Sequence, residues 1–411
     1  MSTRSCLLSL TRPNFLARVR NRKMRTSLAL AAVVATVAGS AFMARAATLT
    51  WDSSGVNPGA PQGGNGTWDL TNFRWSNGSG DIKWTDTSAN GVDVAVFNSN
   101  ISGGAVTLNT ALSAGGLLFQ TGGYAISGTG ALKLGSAGID ASAVGSGTIS
   151  IANAITLGTV PQSWNVGFGG TLLVSGAVNN NGANLSISGS GNTSLTGIVS
   201  GTGTVNNTGS GTLTLSGVNT FNSAMSINGG ATIVVRGAGR LNSGNYSGAI
   251  TNNGSLTFAS NSAGQTLTGV ISGSGILTQS LGTLRLTANS TFTGNVTING
   301  GTLSISGGGN GTSSPLGNVN NGKTVEVDAG GTLNFIGGNE LGGGGVNPNF
   351  TLNIIGGTVT DGNSNSNRNL GTIILNGGTI NTNGGANNTQ YEAFGIGGTV
   401  TVNGTAPSFI I

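Results

Sequence analysis

The sequence has 411 residues, of which 76 are glycine and 7% are charged, and it contains no histidine. The absence of histidine excludes an imidazole base, a histidine-based catalytic triad and a histidine-ligated metal site. Residues 1–46 hold eight of the sixteen basic residues and none of the eleven acidic ones, which leaves a net charge of −3 on the rest of the chain. A basic footprint for nucleic acid is therefore absent, and we predict no nucleic-acid partner.

Residues 1–46 have the pattern of a signal peptide. Basic residues precede the apolar run from Leu28 to Ala38, and Ala44-Arg45-Ala46 matches an A-x-A cleavage site. The apolar run is shorter than the roughly 20 residues that a membrane span needs. We therefore predict export, with translation starting at Met1 or at Met24. The single cysteine, Cys6, lies in this segment, so no disulfide is predicted in the exported chain.

Residues 47–100 are rich in tryptophan, with four of the five tryptophans between Trp51 and Trp84. Large aromatic side chains at one end of a stacked fold can cover its first coil and stop further sheet growth. We predict an N-terminal capping region here. The alternative is that exposed Trp rings stack on sugars. The fifth tryptophan, Trp164, is predicted to fill a corner.

A long sequence block occurs twice in the middle of the chain. GTLTLSGVNTFNSAMSINGGATIV, from Gly211 to Val234, returns as GTLRLTANSTFTGNVTINGGTLSI, from Gly282 to Ile305. Upstream, LTGIVSGTGTV, which begins at Leu195, returns as LTGVISGSGIL, which begins at Leu267. We assign two repeats of about 72 residues to positions 176–247 and 248–307, which predicts an architecture of stacked units.

Apolar residues inside these blocks alternate with Thr, Ser or Asn, as at Leu213 and Leu215, and this period of two predicts short strands. Gly-Gly and Asn-Gly pairs between the runs are typical of tight corners. We predict an all-β fold, a right-handed single-stranded parallel β-helix (β-solenoid) over 101–411, with each repeat forming three coils of roughly 24 residues. A sandwich or barrel would also have short strands, but neither requires a sequence repeat of this length.

The block GTLTLSG.NTF....SINGG, together with the upstream phrase GVISGSG, resembles the autotransporter-associated β-strand repeat, also called the passenger-associated transport repeat. The resemblance spans Gly176–Ile305. It implies a passenger-like protein of the bacterial envelope, located at the cell surface, in the outer membrane or outside the cell. A lysine that often precedes the GTLTL run in such repeats is missing here. No translocator-like barrel sequence precedes Ile411, so we expect either a fragment or another export route.

A phosphate-binding loop pattern occurs at Gly317–Thr324, GNVNNGKT. The pattern binds phosphate only between a strand and a helix, whereas here Lys323 and Thr324 lead directly into the predicted strand TVEVD. We therefore predict no nucleotide binding.

Glu326 and Asp328 lie two positions apart on that predicted strand, so both carboxylates are expected to face outward. Solenoid enzymes that cleave polysaccharides use clustered acids, which makes a polysaccharide lyase or hydrolase the alternative function. A solvated strand face is the preferred interpretation. We assign no catalytic, cofactor-binding or metal-binding residue and predict no cofactor.

The predicted function is that of a structural or adhesive repeat protein at the bacterial surface, without catalysis. Glycans or other envelope proteins are the predicted partners, and contact with a membrane is expected only through a translocator that this sequence lacks. Two Gly- and Asn-rich stretches, Gly307–Asn321 and Gly337–Pro348, are predicted to be connecting loops.

Overall fold

The computed structural model describes residues 46–55, 60–98, 100, 103–261, 264–342, 347–362, 367–382 and 393–411. All of them belong to one compact unit, Ala44–Ile411. Residues 1–45 of the predicted signal peptide lie outside the described residues. In the described part, no helix has the length and hydropathy that crossing a membrane requires.

The described residues form forty short strands and one 3₁₀ turn, Asn242–Gly244. The strands are β1 Thr48–Trp51, β2 Gly66–Thr67, β3 Phe73–Ser76, β4 Asp81–Lys83, β5 Val94–Phe97, β6 Gly104–Thr107, β7 Leu112–Phe119, β8 Tyr124–Ser127, β9 Leu132–Ala141, β10 Gly147–Ile151, β11 Ile155–Leu157, β12 Gln162–Val166, β13 Gly170–Val174, β14 Val178–Asn179, β15 Leu185–Gly189, β16 Asn192–Leu195, β17 Val199–Ser200, β18 Val205–Asn207, β19 Thr212–Leu215, β20 Met225–Ile227, β21 Thr232–Gly237, β22 Asn245–Tyr246, β23 Ile250–Asn252, β24 Ser255–Ser260, β25 Gln265–Leu267, β26 Ile271–Ser272, β27 Ile276–Leu281, β28 Thr283–Leu286, β29 Val296–Ile298, β30 Gly301–Ile305, β31 Thr324–Asp328, β32 Gly331–Phe335, β33 Thr351–Ile355, β34 Thr358–Asp361, β35 Asn367–Leu370, β36 Thr372–Asn376, β37 Thr379–Asn381, β38 Ala393–Ile396, β39 Val400–Val402 and β40 Phe409–Ile410.

Alternation of apolar and polar residues explains why these segments are strands. In β19, Leu213 and Leu215 are buried, whereas Thr212 and Thr214 are half-buried on the outer side. Successive side chains of a strand point to opposite faces, so each strand places its apolar residues in the core of the coil and its hydroxyls outside. The predicted period-two strands are confirmed.

The strands stack from coil to coil into three large sheets, and about 13 turns form a parallel β-solenoid. The first sheet has the order β26-β23-β20-β18-β15-β12-β9-β7-β5-β1-β3-β4, with β11, β14 and β17 attached through β9. The second sheet runs β2-β6-β8-β10-β13-β16-β19-β21-β24-β27-β29-β31-β33-β36-β39, and the third runs β22-β25-β28-β30-β32-β34-β37-β40. The all-β solenoid predicted from the sequence is confirmed.

The coils are shorter than predicted. Successive partners at one register position of the second sheet are Leu172, Thr193, Leu213, Ile233, Leu256, Leu277 and Val296. One coil in this part of the chain therefore takes about 20 residues, fewer than the roughly 24 expected. The next partner after Val296 is Val325, and this coil is longer because Gly307–Asn321 is inserted as a loop without strands.

The sequence repeat does not correspond to three coils, and that prediction is wrong. Strand β19 of the first repeat lies in the second sheet, whereas its sequence equivalent β28 lies in the third sheet. Strand β20 likewise lies in the first sheet and its equivalent β29 in the second. One repeat therefore advances the chain by three coils plus one face, which is possible because the three faces of this solenoid accept the same alternating strand.

The N-terminal end of the first sheet is closed by an antiparallel pair. Strand β3 pairs antiparallel with both β1 and β4, and β4 is a short edge strand bearing Asp81 and Lys83. Short, charged edge strands resist pairing with another chain. The opposite pairing direction and the charges interrupt the parallel stacking at this end.

The predicted Trp-rich cluster is present beneath this pair. Trp51, Trp68, Trp75 and Trp84 are each fully buried, and the ring centroids of Trp75 and Trp84 lie 4.7 Å apart. Tilted and edge-to-face contacts continue through Trp68 to Phe97 of the next coil. Such aromatic contacts stabilise a fold by more than the burial of their area alone. This cluster therefore forms a well-packed N-terminal end of the core.

Candidate binding surface

The outer side of the second sheet carries an uninterrupted row of mostly short side chains, which we call the second-sheet row. Its members face outward at successive register positions and are half-buried, except for the exposed last one. They are Ser194, Thr214, Val234, Thr257, Thr278, Thr297, Glu326, Asn353, Ile374 and Thr401. Because parallel strands lie about 4.8 Å apart, this row presents hydroxyl and methyl groups at a regular spacing.

The chemistry of the second-sheet row is that of an extended contact surface. Ser and Thr hydroxyls donate and accept hydrogen bonds, and the Thr methyl groups add apolar contacts. Glu326 is its one charged member. The threonines at these outward positions also favour the strand conformation.

Glu326 and Asp328 occupy the predicted positions on β31, where Val325 and Val327 are buried and both acids are half-buried outside. Burial, followed by the charge of Glu326, raises the pKa of the Asp328 carboxyl. The Asn353 side chain donates a hydrogen bond of 2.9 Å from Nδ2 to Glu326 Oε2. Across the described ranges, no group of three or more His, Cys, Asp and Glu residues is placed to hold a metal ion.

Lys323, in the phosphate-binding pattern, has a different environment from a nucleotide site. Its side chain is buried, and Nζ donates hydrogen bonds to the carbonyl oxygens of Phe292 (3.0 Å) and Leu316 (2.7 Å). Nζ also lies 3.9 Å from the centroid of the Phe292 ring. Burial lowers the pKa of this amine to about 7. The next residue begins β31, and the hydrogen bond from Lys323 to Leu316 connects the 307–321 loop to the core.

A buried ion cluster joins the second predicted loop to two strands, and the sequence reasoning missed it. Arg368 Nε lies 2.7 Å from Glu340 Oε2, and the same guanidinium pairs with Asp361. Glu340 and Arg368 are fully buried, and the Arg368 guanidinium also lies 5.5 Å from the Phe335 ring centroid. One sequence feature could have revealed the cluster, because these are the only charged residues between positions 337 and 382. The described residues 337–342 of the stretch predicted to be a connecting loop thus do more than connect strands, and residues 343–346 lie outside the described residues.

Full burial of the tryptophans decides between the two interpretations of the Trp-rich region. A sugar cannot stack on Trp51, Trp68, Trp75 or Trp84, because none of these rings reaches solvent. Trp164 is also buried, but it lies in the middle of β12 and not at a corner as predicted. All five rings are core residues.

Comparison with known families and proteins identifies the repeated block. The passenger-associated-transport-repeat family matches residues 205–235 and 279–305. An adhesin autotransporter, BmaC, of Brucella suis biovar 1 (strain 1330) is 29% identical over 181 residues, which is 44% of this chain. The aligned part is 4% of the length of that adhesin. No solved structure is significantly similar. Two segments of the chain therefore match the passenger-associated transport repeat, and the chain resembles the passenger part of an autotransporter. This similarity indicates export to the cell surface, the outer membrane or the extracellular space.

Proposed function

We propose that the chain is an adhesive surface protein that binds glycans or other envelope proteins through the second-sheet row, without catalysing a reaction. The observation that carries this proposal is the row itself, ten outward positions of mostly short side chains in continuous register. Similarity to an adhesin autotransporter supports the same interpretation. Each hydrogen bond on such a surface is worth only about 1 kcal/mol, so adhesion depends on engaging many coils at once.

Adhesion of beads coated with the exported chain to bacterial or host cells tests this proposal. We would replace Thr214, Thr257 and Thr297 with lysine, which places charges on alternate coils of the second-sheet row. The matched control places three lysines at Ser186, Ser226 and Ser272, which are half-buried outward positions on the first sheet. We expect the first variant to lose most adhesion and the control to retain it. Equal adhesion by both variants would refute a role for the second-sheet row.

The absence of catalysis is part of the proposal and has its own test. Glu326 and Asp328 are the acids best placed for polysaccharide cleavage, but the neighbours of Glu326 on the adjoining coils are Thr297 and Asn353, which supply no third acid or base. We expect no turnover of neutral or anionic polysaccharides. Product release by the wild type that Glu326→Gln abolishes would replace the adhesive interpretation with an enzymatic one.

A further inference from the structure

Phe168 is the most exposed large apolar side chain of the described residues, at 83%. It lies at the tip of a tight turn between β12 and β13, in which the Gly170 amide donates to the Gly167 carbonyl at 3.0 Å. The turn crosses the corner between the first and second sheets. An aromatic ring held in solvent at such a corner loses the contacts that would normally bury it.

The neighbouring coils lie close against the backbone of this corner. The preceding coil passes this corner through Ser142–Ser146, and the following coil passes it through Ser190-Gly191. A Cβ at Gly169 would lie 2.2 Å from the Gly145 carbonyl oxygen, and one at Gly191 would lie 2.2 Å from the Gly167 carbonyl oxygen. Backbone therefore packs directly on backbone along this ridge. Val144, the largest side chain on the adjoining corners, is itself buried, and the Phe168 ring remains exposed.

Polar side chains flank the ridge on both sheets. On the first sheet, Asp140, Asn165 and Ser188 occupy one register position on three successive coils. On the second sheet, Thr148, Thr171 and Asn192 do the same. All six are half-buried or exposed on the outer side. An aromatic platform thus stands between two rows of hydrogen-bonding groups.

This combination matches the chemistry of a sugar ring, which has an apolar face of C–H groups and a rim of hydroxyls. The apolar face stacks on an aromatic ring, and hydroxyls bond to amide, hydroxyl and carboxylate groups beside it. The carboxylate of Asp140 accepts hydrogen bonds from hydroxyls but repels a second carboxylate. The ridge therefore favours a neutral sugar over an acidic one.

We propose that Phe168 is the stacking platform of a saccharide subsite for neutral hexose units, with Asp140 and Asn165 contacting hydroxyl groups. This inference rests on the proposed adhesive function and narrows its ligand to a neutral polysaccharide at this coil. The second-sheet row then supplies additional contacts along the same solenoid.

Affinity electrophoresis of the exported chain through gels containing a neutral glucan, a neutral mannan or the anionic polysaccharide alginate tests the subsite. We expect retardation by at least one neutral polymer, about three- to tenfold weaker binding for Phe168→Ala, and binding near wild type for Phe168→Trp. Phe73→Ala is the matched control, because Phe73 is 53% exposed but lies near the N-terminal end under Lys83. Asp140→Asn should improve alginate binding.

Three results would overturn the subsite. These are unchanged retardation of Phe168→Ala, equal losses for Phe168→Ala and Phe73→Ala, and binding to alginate alone. The bead assay separates this failure from that of the proposed function. If adhesion still depends on the second-sheet row while Phe168→Ala has no effect, only the subsite fails, whereas a wild type that adheres to nothing refutes both.

Discussion

Lys323 is a cation held in the core of a chain that has few charges. Its two hydrogen bonds go to backbone carbonyls and its ammonium lies over the Phe292 ring, so partial charges alone compensate its burial. Burial lowers its pKa from 10.5 to about 7. Between these two values the unfolded chain binds the proton more tightly than the folded chain does.

We therefore expect the free energy of unfolding to rise with pH through this window. The destabilisation from the buried charge is fully present below about pH 7 and is lost as pH rises toward 10.5, with a slope approaching about 1.4 kcal/mol per pH unit for one proton. Lys323→Met removes the titration, so its stability relative to wild type should fall as pH rises. Urea unfolding at pH 7.5, 8.5 and 9.5 measures the difference.

The control for this experiment is Lys133→Met, because Lys133 is exposed on β9. This variant should change stability by less than about 0.5 kcal/mol, because the substitution lies on the surface. Parallel pH profiles for wild type and Lys323→Met would show that Lys323 titrates alike in the folded and unfolded chains.

The Arg368 cluster gives a second prediction at this scale. Arg368→Met leaves Glu340 and Asp361 buried without the guanidinium, and we expect a loss of about 3–5 kcal/mol of unfolding free energy. Adding Glu340→Gln and Asp361→Asn should recover part of the loss, because the uncompensated charges disappear. The matched control is Arg285→Met on the exposed side of β28. A triple variant no more stable than Arg368→Met would mean that the cost comes from packing and not from charge.

At the scale of elements, the corners between strands restrict the residue type more tightly than the strands do. At the corner before β19, a Cβ on Gly211 would lie 1.8 Å from the Gly191 carbonyl oxygen of the preceding coil. Glycine is needed there for closeness of approach, since the coils touch backbone to backbone. The stacking distance of the sheet thus sets the residue type at its corner.

Gly211→Ala should therefore destabilise the protein by about 1–3 kcal/mol, because an overpacked site must push two coils apart. Gly145→Ala, at the corresponding corner before β10, should change stability by less than about 0.5 kcal/mol, since a Cβ there meets nothing within 4 Å. Urea midpoints of the two variants measure the difference. Equal costs at the two corners would show that close approach is the wrong explanation, because the backbone entropy of the unfolded chain by itself makes a Gly→Ala change stabilising.

The strands were predictable from the sequence, because alternation such as Leu213 and Leu215 is a local property that survives in the fold. The face of the solenoid on which each copy of the repeat lies was not predictable. Two copies of one sequence block can lie on the same face or on neighbouring faces, and only the summed lengths of the corners decide which. Coils of about 20 residues place β19 and β28 on different sheets, whereas coils of roughly 24 would have placed them on one.

The candidate sites were predictable to a smaller extent. The outward direction of Glu326 and Asp328 follows from alternation and is confirmed. The buried cluster of Glu340, Asp361 and Arg368 depends on contacts between distant parts of the chain, which no periodicity encodes. Phe168 looked like any residue of a Gly-rich corner, and its exposure depends on how the corners of neighbouring coils pack, which no periodicity encodes.

At the scale of the whole molecule, register between coils decides which surfaces face the same way. Ser194 and Glu326 both belong to the second-sheet row, six coils apart. Deleting residues 212–275 joins Gly211 to Ile276 and removes three whole coils of the second sheet. Deleting residues 211–281 instead removes one sequence repeat.

We expect the two deletions to differ in the distance between spin labels at Ser194→Cys and Glu326→Cys. After the three-coil deletion both labels stay on one face, three coils and about 14 Å apart. After the repeat deletion the axial separation is similar, but Glu326→Cys moves to a neighbouring face, so the measured distance should be longer. Cys6 lies in the predicted signal peptide, which leaves the exported chain free of competing thiols. Equal distances in the two deletions would show that a repeat spans whole coils.

Because one repeat spans three coils plus one face, the number of repeats determines the direction in which the surfaces after them face. Recombination between the two blocks inserts or removes one unit without a mismatch at the joint, because β28 closely repeats the sequence of β19. Every surface beyond the joint is then turned to the neighbouring face, and three such events restore the original facing. A change in the number of repeats could in this way turn the distal surface to another face without changing any residue of that surface.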